Sequence, residues 1–240
     1  MLWTHLDIRR EDHRLPNQTF NNCVRTALAM QPSQAISADP NAKCCCGFLL
    51  HLDPLHFYAC AKLRNLVDGG YGRHQGVGDA LQFHSDRAGF ITHREHHFMD
   101  KGGKRADLSL LDPLTNTLTH IDVSIALPSA ESHRAAAARQ PLSAANARVH
   151  AKETKYADLC RKEGAYFSPF ILETTGAMSK PALQLISRIA DQSVATNPYN
   201  PVTAAQLTQR VAIALHNGNA QIINQGLARS AQAFRPHAGR

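Results

Sequence analysis

Two aspartates, Asp107 in RADLSL and Asp122 in IDVSIALP, are separated by fourteen residues, and each sits in a short segment of alternating or β-branched character. A hairpin between such segments brings both carboxylates to one edge of a sheet. Two oxygen ligands held on rigid strands are what Mg²⁺ (or Mn²⁺) needs while it keeps waters for a phosphate and a nucleophile. Further along, Lys152, Lys155 and Tyr156 fall at i, i+3 and i+4, so a helix presents them on one side. A lysine beside an acid pair supplies a cation for a pentavalent phosphoryl transition state or positions the attacking water. Glu95, in THREHH, is a candidate additional acidic ligand. Each residue alone has an ordinary reading: a turn cap, a partner for an arginine, a solvated helix face, an exposed glutamate. Their combination points to metal-dependent hydrolysis of phosphodiesters.

A second constellation lies upstream. Cys44-Cys45-Cys46-Gly47 precedes His56-x-x-x-Cys60, and Cys44, Cys46, His56 and Cys60 make a tetrahedral donor set for structural Zn²⁺. Cys45 can replace either neighbour, and His51 competes with His56. The alternative is a group of free thiols in a reducing compartment. Cys23 and Cys160 read as ordinary thiols.

These groups need a scaffold. Hydrophobic spacing predicts a short helix near Cys23 to Met30, and Val77, Leu81 and His84 mark one face of a helix from about 74 to 88. Phe90 to His93, Ala106 to Leu111 and Thr117 to Leu127 read as three strands separated by KGGK and DPLTN. The Ala-rich stretch His133 to Arg161 reads as helix, split by Pro141 so that 142–162 stands alone. Tyr166 to Glu173 is a fourth strand, in which Pro169 disfavours a fully paired position. Helices at about 179–195 and 202–216 follow, and the tail from Gly226 is expected to fray.

The 240 residues, 43% of them hydrophobic, suffice for one substantial core and an appended module. A net charge of +7 and 14 histidines favour polyanionic partners, nucleic acid foremost. No run approaches the roughly 18 apolar residues a membrane helix needs, and MLWTHLDIRREDHR lacks the apolar core of a signal peptide. An intracellular location is therefore expected, nuclear in the first instance and cytoplasmic as the alternative.

RADLSL, IDVSIALP, AKETKY and FSPFILETTG together resemble the restriction-like endonuclease (PD-(D/E)XK) domain at the C-terminal end of site-specific non-LTR retrotransposon proteins. The resemblance spans roughly residues 44 to 178. It implies an α/β fold with a mixed central sheet flanked by helices, and magnesium-dependent cleavage of DNA. Asp107 and Asp122 would be the metal ligands, with Lys152 or Lys155 as the catalytic cation. It also implies a zinc knuckle of three Cys and one His ahead of an Arg-His helix, so that Arg73 and His74, with Arg105 on the strand, face nucleic acid. RNA or a reverse transcriptase is the further partner it suggests. The chain carries no Tyr/Phe-x-Asp-Asp polymerase motif and would correspond to the C-terminal part of such a protein or to a separately encoded copy. Two positions depart from the pattern: Ala106 stands where a Pro usually precedes the first Asp, and Ser124 where the general motif has Lys. The expected organisation is an N-terminal extension (1–43), a zinc knuckle (44–72), a nuclease core (73–178) and a C-terminal helical segment with a basic tail (179–240).

Overall fold

In DPLTN, Asp112 accepts from the Leu114 amide at 2.9 Å and from the Thr115 hydroxyl at 2.9 Å, and Asn116 adopts a left-handed φ of 53°. This side-chain-closed turn folds β2 (Arg105–Asp112) back on β3 (Thr117–Ala126). The computed structural model describes residues 14–63, 72–99 and 102–233, so the Gly69-Gly70 break and the end of the basic tail lie outside the described residues. β1 (Ile91–His97) pairs antiparallel with β2, and β4 (Tyr166–Glu173) pairs parallel with β3, giving the order β1-β2-β3-β4. Pro169 lies opposite Asp122 on an edge strand, where a missing N–H is tolerated.

The fold is mixed α/β, a four-stranded mixed sheet flanked by helices. One face carries α4 (Arg73–Arg87), α7 (Lys180–Thr196) and α8 (Ala204–Ala233). Val77, Leu81, Ile189, Leu207 and Leu215 meet Leu108, Leu110, Ile121 and Phe170 there in the main core. The other face carries α6 (Ser143–Lys162), whose Tyr156 and Cys160 pack with Phe98, Ala106 and Ala165. Ahead of α6, the short α5 (Glu131–Ala137) ends before Pro141, and Leu142 turns left-handed at φ 62°, so the chain breaks where the proline predicts.

α1 (Asn17–Ala27), α2 (Gln34–Ala38) and the single-turn α3 (His56–Ala59) belong to the N-terminal part. Ile36, Leu50, Phe57 and Leu63 form a satellite core against Ile222 and Ile223 of α8. Here the structure departs from the expected helix end near 216 and frayed tail from 226. α8 continues to Ala233, and its glycines are contact points instead of breakers. A Cβ at Gly218 would stand 2.7 Å from the Arg73 Cα, and one at Gly226 would stand 2.8 Å from the Phe57 ring. Close backbone approach is what glycine permits, and burial of the surrounding apolar residues outweighs its helix penalty of about 1 kcal/mol.

Candidate active site and metal centre

β2 and β3 stop pairing where the acids begin. The ladder's last registered pair is Leu108↔Ile121, and the Val123 amide beyond it donates instead to Asp107 Oδ2 at 2.6 Å. A carboxylate thus replaces a backbone carbonyl and wedges the strands apart. The side-chain alternation breaks at the same level. Leu108 belongs to the core under α4, whereas Ala106, two residues away, packs with Tyr156 of α6. Across the ladder, Arg94 pairs with Asp79 of α4 at 3.3 Å, while His96 reaches Glu163 just past α6 at 2.7 Å. Between them Glu95 holds a left-handed φ of 53°, a conformation that a non-glycine residue takes at a cost. This paired kink lets Asp107 face the start of α4 while Asp122 faces α6.

Asp122 is 3% exposed and meets Lys152 Nζ at 3.0 Å from Oδ1 and 2.7 Å from Oδ2. Only the Oδ1 contact has hydrogen-bond geometry, so Oδ2 is buried without a directed donor. Lys155 is exposed, and its Nζ donates to the Tyr156 hydroxyl at 2.7 Å. Of the two lysines left open by the spacing, Lys152 is the one that touches an acid. Burial and the neighbouring Asp122 charge push the Tyr156 hydroxyl up to about 12, so it stays protonated.

His74, in the first turn of α4, lies with Nε2 3.0 Å from Asp107 Oδ2. Both hydrogen bonds of Asp107 among the described residues therefore fall on one oxygen. Burial raises the Asp107 carboxyl, but the His74 bond and charge, the Val123 amide and Lys152 outweigh it and hold the group below its usual range. Burial and the nearby Asp107 charge hold Asp122 above its usual range despite Lys152 and Tyr156. The bond to Asp107 raises His74, helped by Asp122 and opposed by burial and Lys152. Two carboxyls with oppositely displaced affinities for protons, a histidine and a lysine thus act on one another within one cluster.

The other expected residues lie around this centre. Glu95 is paired with Arg105 at 3.2 Å, both half-exposed, and the two line a cleft of about 300 Å³ with His74, Arg94 and Asp107. A second cleft of about 400 Å³ also has His74 in its wall, with Ser124, His133 and Arg148. Arg73 faces inward, donating to Asn219 at 3.2 Å and to Thr174 at 3.4 Å, with its guanidinium 5.3 Å from the Tyr58 ring centre. Its visible role is to tie α4 to α8 and α3. His133 and Arg148, which no motif signals, join the cleft because α5 and α6 return past the end of β3.

The Cys/His constellation converges. The sulfurs of Cys44, Cys46 and Cys60 and a ring nitrogen of His56 all lie within 4.8 Å of one another. Cys44 Sγ is 3.6 Å from Cys60 Sγ, and Cys46 Sγ is 3.2 Å from His56 Nε2. Zn–S bonds of about 2.3 Å and Zn–N bonds of about 2.0 Å place tetrahedral neighbours roughly 3.3–3.8 Å apart, so the donor set fits zinc. The turn that builds it runs from Cys44 to Phe48, closed by Cys44 N–H to Phe48 O at 2.9 Å and Gly47 N–H to Cys44 O at 2.7 Å. Gly47 takes φ 95°, which explains the glycine after three cysteines. Phe48 stacks on His56 at 4.1 Å between ring centres and fixes the imidazole. Cys45 and His51 stand outside the set, and Cys60 reaches it as the extended residue closing α3.

Among the described residues one further group of three or more ligand-type side chains meets the same 4.8 Å distance, and it does not include Asp107 or Asp122. No protein-family model matches this chain, and a search of curated proteins gives no match either.

Proposed function

We propose that this chain is a metal-dependent endonuclease of the PD-(D/E)XK type, hydrolysing phosphodiester bonds in DNA as the retroelement target-site nucleases it resembles do. The observation that carries the reading is the buried Asp122–Lys152 pair set beside Asp107 at the point where β2 and β3 part. Carboxylates that can hold a metal, with a cation beside them, supply the positioning and charge stabilisation that metal-assisted phosphoryl transfer uses.

Carboxylate oxygens are the donors that Mg²⁺ prefers. Asp122 Oδ2 has no directed donor, and the Asp107 hydrogen bonds crowd on Oδ2. Asp107 and Asp122 would hold the ion, which when bound polarises the phosphate and acidifies a water. Lys152, paired with Asp122, would offset the negative charge that builds on the phosphate. Tyr156, protonated and tied to Lys155, keeps the Asp122 carboxylate in place. His74 orients Asp107 and presents a donor at the cleft wall. Arg105, Arg148 and His133, which line the two clefts, would meet the nucleic-acid backbone, whose binding then weakens steeply with salt. Retroelement RNA or a reverse transcriptase is the partner the resemblance adds to DNA.

A second reading is a nucleic-acid-binding or ribonucleoprotein-assembly module of the same fold without catalysis. It is favoured by one observation: Lys152 and His74 already occupy oxygens of the two acids, at 2.7 Å and 3.0 Å. Nicking of supercoiled DNA in Mg²⁺ or Mn²⁺ separates the two. The nuclease reading expects activity that Asp107→Ala and Asp122→Ala each abolish. Cleavage indifferent to both substitutions sinks the site, and salt-sensitive binding without cleavage by the wild type leaves the second reading.

A further inference from the structure

The remaining ligand-type group is independent of the nuclease reading. His96 of β1, His120 of β3 and Glu163, the residue closing α6, place their donor atoms within 4.8 Å of one another. His96 Nε2 is 2.7 Å and His120 Nε2 3.4 Å from Glu163 Oε2. His120 is 0% exposed, and its Nε2 has no hydrogen-bond partner, since the glutamate lies off the direction an N–H would take. An orphaned, fully buried imidazole nitrogen beside a carboxylate and a second imidazole needs an explanation.

We infer that His96, His120 and Glu163 form a second metal site, for Zn²⁺ or a similar divalent transition ion, that braces α6 against β1 and β3.

Imidazole donors select such ions over Mg²⁺. Ser109 Oγ, 2.7 Å from His120 Nδ1, supplies the outer contact that ligating histidines usually make, fixing the ring with Nε2 toward the ion. The His96 and His120 rings stack 4.3 Å apart at 16°. Of the two, His96 has the 29% side-chain exposure needed to tilt onto an ion. The Met99 amide lies 3.4 Å from Glu163 Oε1 and steadies the carboxylate. A Ser109–His120–Glu163 relay for a nucleophilic serine is the competing chemistry, but Ser109 is 4% exposed and out of reach of a substrate. The placement explains the brace. Phe98 sits edge-on to His120 at 5.3 Å and 5.8 Å from Tyr156, so the cluster continues into the ring beside Asp122.

Titration of the full chain with Co²⁺, after chelator dialysis under reducing conditions and in excess Mg²⁺ to fill oxygen-only sites, tests the inference. The wild type is expected to take up two equivalents. One carries thiolate-to-cobalt charge-transfer bands from the cysteine centre, and the other shows only d–d bands. His96→Ala and Glu163→Gln, both at partly exposed positions, each lose the second equivalent and keep the thiolate bands and far-ultraviolet dichroism. A wild type that binds only the thiolate equivalent overturns the site, as does a second equivalent that survives in both variants.

Discussion

Replacing Lys152 with Met removes the cation 2.7 Å from a carboxylate that is 3% exposed and leaves the Lys152 side-chain volume largely filled. Breaking a buried pair from one side costs about 3–5 kcal/mol because the other charge stays buried. The Lys152 side chain is 21% exposed, so water screens part of the pair and the low end, about 3 kcal/mol, applies. For a chain of this size that is a fall in Tm of about 6–12 °C. Asp122→Asn costs less, about 1–2 kcal/mol, since the ammonium it strands can turn to water. The double variant should fall short of additivity by about 2 kcal/mol. Urea and thermal unfolding of the four proteins near neutral pH, without Mg²⁺, measure the cycle. Adding Mg²⁺ should recover Lys152→Met more than the double variant, because only the former retains the carboxylate. Additive losses, or a Lys152→Met protein as stable as the wild type, would show that the pair is a solvated contact and remove the basis for Lys152 as the catalytic cation.

The two lysines should separate in nicking assays: Lys152→Met lowers the rate about 10²- to 10³-fold, the scale of losing one transition-state charge partner. Lys155→Met, which removes an ammonium bonded to the Tyr156 hydroxyl and not to either acid among the described residues, lowers it less than tenfold. Zinc bound per chain should fall by one equivalent in Cys44→Ser and in Cys60→Ser and be unchanged in Cys45→Ser and His51→Ala. Loss in Cys45→Ser would mean that the turn at Gly47 selects a different sulfur. His84 and His216 are buried with both ring nitrogens unpartnered among the described residues, and burial holds each down to about 4. Between about 4 and their ordinary value of 6.5 the unfolded chain binds protons that the native chain does not, so stability falls as the pH drops through that window. Each contributes up to about 3 kcal/mol to that loss. His84→Leu should flatten the acid limb of a urea-midpoint profile, and an unchanged limb would contradict a neutral buried His84.

Much of the sheet and the site was legible because its signals are local. Periodicity placed Val77 and Leu81 on a helix face, Pro141 broke the long Ala-rich segment, and DPLTN closed the hairpin between the aspartates. The helical spacing of Lys152 and Tyr156 put both beside Asp122. β1 runs on to His97, past the expected His93, because the charged THREHH pairs by its backbone at an exposed edge, where no apolar alternation reports it. The length of α8 was hidden for the opposite reason: Gly218 and Gly226 look like breakers until Arg73 and Phe57 are packed on them.

Residue type and spacing alone determined which side chains are on offer: two carboxylates and a lysine, the set that the proposed nuclease reading uses, and three thiols and an imidazole that could bind zinc. Tertiary structure decided which atoms meet. The kink at Glu95 let Asp107 face α4 while Asp122 faces α6, the left-handed turn at Gly47 chose Cys44 and Cys46 over Cys45, and α4 delivered His74 to Asp107. Those choices depend on strand splay, a positive φ and a helix docking against a sheet. The splay and the docking are set by contacts between segments far apart in the chain, the Gly47 turn by backbone bonds within Cys44–Phe48, and none leaves a periodic mark in the sequence.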